Sequence, residues 1–303
     1  MRMGAMDPEL EAFIPLFPSA DLTDPVTARK NLAELAGAAP VPDTAGMEIE
    51  DRMVPADPDV AVRIYRPRQA LGAIVWLRGG GFVMGDLDTE HPWASRAAAG
   101  SGAVVISVGY RRAPEQRFPA ALDDAYAVLT WAAEHAAELG IDPARIAVGG
   151  HSAGAGIAAA VALRARDEQG PPIRFQLLNQ PELDDRQVTW SARNFTDTPW
   201  MTRDKLAATW RHYLGTAPAT QYAAPARATD LSGLPPAYIA TAEFDPLRDE
   251  GMGYAMRLLE AGVSVELHQW SGTFHGSQAI LSAEVSQRQL AELTGALRRA
   301  LAE

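Results

Sequence analysis

Cysteine is absent from the 303-residue chain, and this absence excludes several kinds of site. Without thiols there is no disulfide framework, no cysteine-ligated zinc or iron–sulfur centre and no cysteine nucleophile. Long apolar runs are missing too, since no stretch approaches the ~20 apolar residues of a membrane-spanning helix. Arg2 has no apolar segment behind it, so no signal peptide is predicted. We therefore expect a cytoplasmic protein without a membrane partner.

Basic residues are fewer than acidic ones: the chain has 27 Lys and Arg and 38 Asp and Glu, which gives a net charge of -11. This charge repels phosphate backbones and anionic lipids, so we expect a small-molecule partner and no nucleic acid. Apolar residues make up 47% and charged residues 21%, the balance of a globular rather than a disordered chain. At this length we expect one large domain or one domain with a lid, and a homodimer is compatible with the sequence.

Short apolar runs alternate with longer helical patterns from Gly72 onward. Most runs are apolar at consecutive positions, which is typical of strands that are covered on both faces. This alternation predicts an α/β fold with a mainly parallel sheet and helices on both faces. The predicted strands are residues 73–77, 103–108, 145–148, 175–178, 237–241 and 263–269, and the predicted helices are 119–139, 153–167, 248–261 and 283–301.

Alternating residues at 48–55 and 60–67 predict an antiparallel hairpin at the edge of the same sheet. Helical patterns also occur at 8–17 and 25–37, ahead of any strand.

An aromatic-rich segment, residues 184–225, interrupts the alternation and holds six of the 22 aromatic residues. We interpret it as part of a cap over a pocket, although its composition fits extra core equally well. The predicted organisation is N-terminal cap helices at 1–45, a first core part at 46–183, a cap insertion at 184–225 and a second core part at 226–303.

The segment Gly150-His151-Ser152-Ala153-Gly154 lies between a predicted strand and a predicted helix. In that context a G-x-S-x-G pattern predicts a sharp turn that exposes the serine hydroxyl and aims the following amide at the same point. Ser152 is therefore the candidate nucleophile. The alternative is a serine that only caps the helix.

A serine nucleophile needs a base, and the base needs an orienting carboxylate. Asp245 follows strand 237–241 and His275 follows strand 263–269. Both lie at carboxyl ends of strands, where open α/β sheets place their sites, so they are the candidate acid and base. Asp249 and Glu250 fit less well, because a carboxylate in the first turn of a helix usually complements the helix dipole.

A glycine-rich loop, Arg78-Gly79-Gly80-Gly81-Phe82, follows strand 73–77. Consecutive glycines let backbone N–H groups point into a pocket, where they stabilise a developing alkoxide. A phosphate cradle fits poorly because no G-K-[ST] follows. An ordinary flexible loop is the remaining alternative.

At these motifs the chain resembles the hormone-sensitive-lipase-like group of α/β-hydrolases, known in bacteria as family IV esterases. The family's His-Gly-Gly-Gly-Phe loop corresponds to residues 78–82, and its Tyr-Arg-Leu-Ala-Pro-Glu segment is similar to residues 110–115. Its Gly-Asp-Ser-Ala-Gly-Gly block corresponds to 150–155, its acid block to 245–251 and its base block to 275–276. The match runs in order over roughly residues 70–300, and the blocks together are far more specific than any one of them.

The resemblance implies an α/β-hydrolase fold with a helical cap and a serine carboxylesterase that hydrolyses short-chain carboxylic esters through an acyl-enzyme. It implies no cofactor and no metal. The alternatives on the same site are an amide or carbamate hydrolase, an acyltransferase, and a non-catalytic ligand-binding member of the fold. The resemblance assigns the triad to Ser152, Asp245 and His275, and the oxyanion hole to the amides of Gly80, Gly81 and Ala153.

The chain departs from the family pattern at Arg78 in place of His, His151 in place of Asp and Ala155 in place of Gly. We expect Arg78 to brace the glycine loop, because its five donors can reach carbonyls, with Asp86 or Asp88 as a carboxylate partner. A solvated arginine at a strand end is the alternative. We interpret His151 as a supporting residue, since the sharp turn splays the neighbours of the serine apart.

Three tryptophans of the predicted cap insertion bear on the size of the substrate. We expect the rings of Trp190, Trp200 and Trp210 to fill space over the pocket that a long acyl tail would need.

Overall fold

One sheet of eight strands organises the protein in a computed structural model that describes residues 5–16, 21–38 and 43–302. Numbered along the chain, the strands are arranged in the order β1-β2-β4-β3-β5-β6-β7-β8. Strand β2 runs antiparallel to both β1 and β4, and every other neighbouring pair is parallel. The mainly parallel sheet and the antiparallel hairpin at its edge are thereby confirmed. The strands are β1 Met47–Val54, β2 Val60–Pro67, β3 Ala73–Leu77, β4 Val104–Val108, β5 Ile146–His151, β6 Phe175–Asn179, β7 Ala237–Phe244 and β8 Val265–Phe274.

Helices cover both faces of the sheet, and this explains why β3, β4 and β6 are buried at every position. Side chains of the helices at 87–101 and 284–302 pack against one face, and those of the helices at 120–134, 153–167 and 248–260 pack against the other. The helices are α1 Pro8–Glu11, α2 Pro25–Ala38, α3 Leu87–Ser101, α4 Ala120–Glu134, α5 Ala136–Leu139, α6 Ala153–Asp167, α7 Trp190–Asn194, α8 Arg203–Leu214, α9 Arg248–Glu260 and α10 Glu284–Ala302.

Helix α3 is the main element that the sequence patterns did not predict. It begins after Asp86, whose carboxylate accepts from the Thr89 amide at 2.9 Å while the Asp86 amide donates to the Thr89 hydroxyl at 2.8 Å. This reciprocal capping starts the helix. Pro92 lies inside the helix and interrupts the usual helical signal. Asp86 therefore caps a helix, and Asp88 lies in its first turn.

The N-terminal segment and the insertion after β6 lie over the same end of the sheet. The His212 ring on α8 contacts the Leu22 carbonyl at 3.1 Å, and Arg29 on α2 donates to the carbonyls of Val83 and Ala113. Phe17 of the first predicted helix, residues 1–4, 18–20 and 39–42, and Glu303 lie outside the described residues. The division into core and cap stays a prediction.

None of the helices in the described ranges is both long and apolar enough to cross a membrane.

The packing of α10 against the sheet can be tested by truncating Leu297, which is fully buried among α3, α10 and the strands. We expect Leu297→Ala to lower the free energy of unfolding by ~2–5 kcal/mol, because buried methyl groups are lost and a cavity is left. Leu259→Ala on α9, where the leucine is 47% exposed, should change it by less than ~0.5 kcal/mol. Urea unfolding measures the free energy of unfolding of both variants. An equal decrease in the two variants would contradict this packing.

Candidate active site

Ser152 occupies a strained turn between β5 and α6. Its backbone angles, φ 56° and ψ -126°, are unusual for a residue with a side chain. A Cβ at Gly150 would lie 2.0 Å from the Leu77 carbonyl oxygen, and a Cβ at Gly154 would lie 2.1 Å from the same atom. Both glycines are therefore required by the close approach of β3, and the turn presents the serine hydroxyl at the end of the sheet.

The structure brings the three predicted triad residues together. Ser152 Oγ lies 2.9 Å from His275 Nε2, and His275 Nδ1 lies 2.7 Å from Asp245 Oδ2. The other oxygen of Asp245 accepts from the Leu247 amide at 2.9 Å, which holds the carboxylate in place. All three side chains are buried. This is the geometry in which a histidine can take the proton of a serine and keep one tautomer.

The rival carboxylates have other partners. Asp249 accepts from the Ser191 amide at 2.8 Å, and Glu250 accepts from the Leu183 amide at 2.6 Å. Glu250 is buried, so its role is to hold the chain after β6 and not merely to complement the dipole of α9. Burial raises the pKa of Glu250 well above its ordinary value.

The glycine loop lines the same cavity as Ser152 and His275. Gly80 and Gly81 have φ angles of 113° and 57°, in the region that favours glycine. A Cβ at Gly81 would lie 2.4 Å from the methyl carbon of Thr209 on α8. The loop is thus packed directly under the insertion. Its function as an oxyanion hole stays a prediction.

Ala153, the third predicted contributor, is the first residue of α6. An amide in the first turn of a helix has no acceptor within the helix and lies at the positive end of the dipole. Such an amide is suited to stabilise negative charge that develops beside Ser152.

Arg78 is buried beneath the glycine loop and makes three hydrogen bonds to backbone carbonyls. Its guanidinium donates to Met84 at 3.2 Å, Val108 at 3.3 Å and Tyr110 at 3.0 Å. It also lies 3.6 Å from the centre of the Tyr110 ring, whose hydroxyl donates to the Arg78 carbonyl. Burial lowers the pKa of this guanidinium because the charge loses its hydration. The arginine ties the loop to the end of β4, and the alternative of a solvated side chain is wrong.

The expected carboxylate partners of Arg78 lie elsewhere. Asp86 caps α3, and Asp88 forms an ion pair with Arg63 at 3.0 Å. Neither carboxylate forms an ion pair with Arg78, whose charge is met instead by three carbonyl dipoles and the face of an aromatic ring. Carbonyl partners on a neighbouring strand leave no local signal in the sequence.

The cavity beside Ser152 has a volume of about 170 Å³. Of the three tryptophans expected over it, Trp200 lines it. Trp210 is buried and packs on Phe82, and Trp190 is 49% exposed. One ring of the insertion, and not three, therefore limits the space for substrate. Leu22, Leu32 and Leu35 of the N-terminal segment also line the cavity.

His151 forms a second histidine–carboxylate pair beside the serine. Its Nε2 lies 3.0 Å from Glu90 Oε1, which also accepts from the Trp76 indole at 2.6 Å. The ring lies between Trp76 and Trp93, and it lines the cavity. His151 thus pairs with Glu90 and not with a member of the triad. Because Glu90 lies on the unpredicted helix α3, this pair was not found from sequence.

Gln180 and Gln278 also line the cavity and were missed by sequence reasoning. Gln180 accepts from the Gly276 amide at 2.8 Å and donates to Gln278 at 3.1 Å. It therefore holds the loop that carries His275. Gln180 directly follows β6, so the same search at carboxyl ends of strands that selected Asp245 could have found it.

A possible set of metal ligands in the described part of the chain is Glu266, His268 and Glu292. Arg299 already pairs with both of these carboxylates, and none of the three residues lines the cavity. We therefore assign no metal to this site.

Comparison with known proteins identifies relatives over nearly the whole chain. The family model described as "alpha/beta hydrolase fold" matches residues 74–279. Carboxylesterase NlhH of Mycobacterium tuberculosis is 42% identical and is covered over 96% of both chains. Esterase LipI of the same organism is 46% identical over 73% of this chain and 72% of its own. A solved structure named "Bacterial Heroin Esterase" is 46% identical, with a TM-score of 0.95 and 98% coverage of both chains.

Removing the Arg78 guanidinium tests whether it braces the glycine loop. We expect Arg78→Ala to lower kcat for ester hydrolysis ~10–1,000-fold with little change in KM, since the loop amides would lose their alignment. Arg78→Lys should retain only part of the wild-type kcat, because an ammonium lacks the planar fork that reaches three carbonyls. Steady-state kinetics measure both.

The matched control is Arg96→Ala, because this half-buried arginine on α3 donates to the Pro92 carbonyl, away from the loop. It should retain wild-type kcat. A folded Arg78→Ala enzyme with wild-type kcat would show that the loop supports itself.

Proposed function

Because the chain belongs to the α/β-hydrolase family, and within it to the hormone-sensitive-lipase-like group, we propose that it is a serine carboxylesterase that acts through Ser152. The observation that carries this proposal is the 2.9 Å contact between Ser152 Oγ and His275 Nε2 at the strained turn. Relatives at 42% and 46% identity are named carboxylesterase and esterase.

The first half of the reaction forms an acyl-enzyme. Ser152 Oγ attacks the ester carbonyl while His275 Nε2 takes its proton, and Asp245 holds the imidazole in the productive tautomer. The carbonyl oxygen gains negative charge, which the amides of Gly80, Gly81 and Ala153 would stabilise. His275 then returns the proton to the leaving alcohol as the tetrahedral intermediate collapses.

The second half releases the acid. A water molecule attacks the acyl-enzyme carbonyl while His275 takes a proton from the water. His275 then passes this proton to Ser152 Oγ as the carboxylic acid leaves. Side chains and backbone amides of this chain supply every group that the two halves of the reaction need. We therefore propose a reaction without cofactor or metal.

The substrate class that we propose is a small-molecule ester with a short acyl chain. A cavity of about 170 Å³ beneath Trp200 supports this, because each added methylene gains burial only while there is room for it. The cytoplasmic location and the homodimer stay predictions.

Substitution of the triad tests the reaction. Ser152→Ala and His275→Ala should each remove nearly all hydrolysis of p-nitrophenyl acetate, and the double variant should lose no more, because the side chains act as one unit. Asp245→Asn should lower kcat by ~10²–10⁴-fold by favouring the wrong tautomer. His268→Ala, a histidine of β8 away from the cavity, is the control and should stay active.

A His275→Ala enzyme that kept more than about a tenth of its rate would show that another base operates. Anilide and carbamate substrates in the same assay separate ester hydrolysis from the alternatives.

Acyl length tests the size of the cavity. We expect kcat/KM to be highest for acyl groups of about two to six carbons. Trp200→Ala should move the optimum to longer chains, because it removes the tryptophan of the insertion that lines the cavity, whereas Trp190→Ala should not. A series of p-nitrophenyl esters measures this. Wild-type enzyme that prefers palmitoyl to butyryl esters would refute the proposed substrate class.

A further inference from the structure

Glu182 is a fully buried carboxyl group close to the active site that the reaction above does not use. It follows β6 and is 0% exposed. Its Oε1 lies 2.6 Å from the Thr209 hydroxyl on α8, and its Oε2 has no hydrogen-bond partner among the described residues. A buried ionised carboxylate with one partner is costly, so its protonation state needs an explanation.

The hydrogen bonds of Thr209 provide that explanation. The Thr209 hydroxyl also lies 2.8 Å from the Leu206 carbonyl oxygen. A hydroxyl has one proton and cannot donate to both oxygens. The Leu206 carbonyl can only accept, so both contacts are satisfied when Thr209 donates to Leu206 and a protonated Glu182 donates to Thr209. The geometry therefore favours a neutral carboxylic acid at Glu182.

The electrostatic surroundings agree with this assignment. Burial, with a further contribution from the nearby Asp245 carboxylate, raises the pKa of Glu182 to about 8, although the Thr209 contact opposes the rise. The other titratable groups that face it are Glu250 on α9, Tyr110 after β4 and Tyr213 on α8. Burial raises the pKa of all three, so Asp245 is the negative charge that an ionised Glu182 would meet.

Glu182 is connected to two parts of the site. Its backbone amide donates to the Ser152 carbonyl at 3.2 Å, and a Cβ on Gly156 of α6 would lie 2.1 Å from the Glu182 carbonyl oxygen. This places Glu182 firmly against the nucleophile turn. On the other side, the methyl of the same Thr209 packs on Gly81 of the glycine loop. Glu182 thus joins the serine turn, through its backbone, to the helix that covers the loop, through its carboxyl group.

We propose that Glu182 is a positioning residue for the ester hydrolysis proposed above, on which this inference rests: its protonated carboxyl anchors Thr209, and Thr209 holds the glycine loop at Gly81. When Glu182 ionises, it can no longer donate to Thr209, and an uncompensated charge forms beside Asp245. The loop amides then lose their alignment, so kcat falls at alkaline pH while KM changes little.

Kinetics across about pH 6 to 10 test this with p-nitrophenyl acetate. As the pH rises, wild-type kcat should fall about tenfold, and the apparent pKa of this fall should be about 8, the value for Glu182. Glu182→Gln, which keeps a donor and cannot ionise, should lose less than about threefold at neutral pH and show no alkaline fall. Thr209→Val keeps the methyl but removes the hydroxyl, so its kcat should be about tenfold lower at every pH.

The matched control is Thr241→Val, since this buried threonine of β7 has a hydroxyl without a partner among the described residues. It should follow the wild-type profile.

Thermal unfolding in the Ser152→Ala background gives a readout that does not depend on activity. The pKa of Glu182 is raised above the ordinary value of 4.5, so protonation of Glu182 stabilises the folded protein. This contribution is fully present below pH 4.5 and is lost as the pH rises towards 8. The Tm of Glu182→Gln relative to its parent should therefore increase across that range.

The outcomes separate the two proposals. If wild-type enzyme shows no Ser152-dependent hydrolysis, the proposed function fails, and the positioning role fails with it. If hydrolysis is present but Glu182→Gln keeps the wild-type alkaline fall, or if the Tm difference does not change with pH, the inference about Glu182 alone is overturned.

Discussion

The approach of the Leu77 carbonyl to the turn around Ser152 is the constraint on which the rest of the site depends. This oxygen lies so close to the positions of Gly150 and Gly154 that neither could carry a side chain. The end of β3 and the start of α6 can therefore meet, and the glycine loop that continues from β3 is brought beside the serine. The nucleophile and the amides that would stabilise its intermediate are fixed by one packing contact.

Around this contact, buried polar groups hold the loops that ordinary hydrophobic packing would leave free. Arg78 joins the glycine loop to the end of β4, and Gln180 holds the loop that carries His275. Glu182 joins the serine turn to α8 through Thr209. Each of these side chains is buried and forms hydrogen bonds to a loop, to a strand end or to α8, where a single lost partner costs about 1–3 kcal/mol. The precision of the site is thus maintained by polar contacts beneath it.

The sequence predicted the sheet and the central residues because their signals are local. Consecutive β-branched residues in 73–77 and 103–108 mark buried strands, and G-x-S-x-G between a strand and a helix marks the turn at Ser152. Helix α3 was missed because Pro92 interrupts it, and the Glu90–His151 pair was missed with it. The carbonyl partners of Arg78 could not be predicted, because they depend on how β4 ends beside β3 in space. The different roles of the three tryptophans likewise follow from packing and not from composition.

We propose that Ser152 is the residue that becomes covalently modified during the reaction. The most direct measurement is to treat the protein with a fluorophosphonate, which reacts with activated serines, and to identify the modified peptide by mass spectrometry. We expect one label per chain, at Ser152, and no label in Ser152→Ala. A label at another residue, or none in an enzyme that hydrolyses esters, would contradict it.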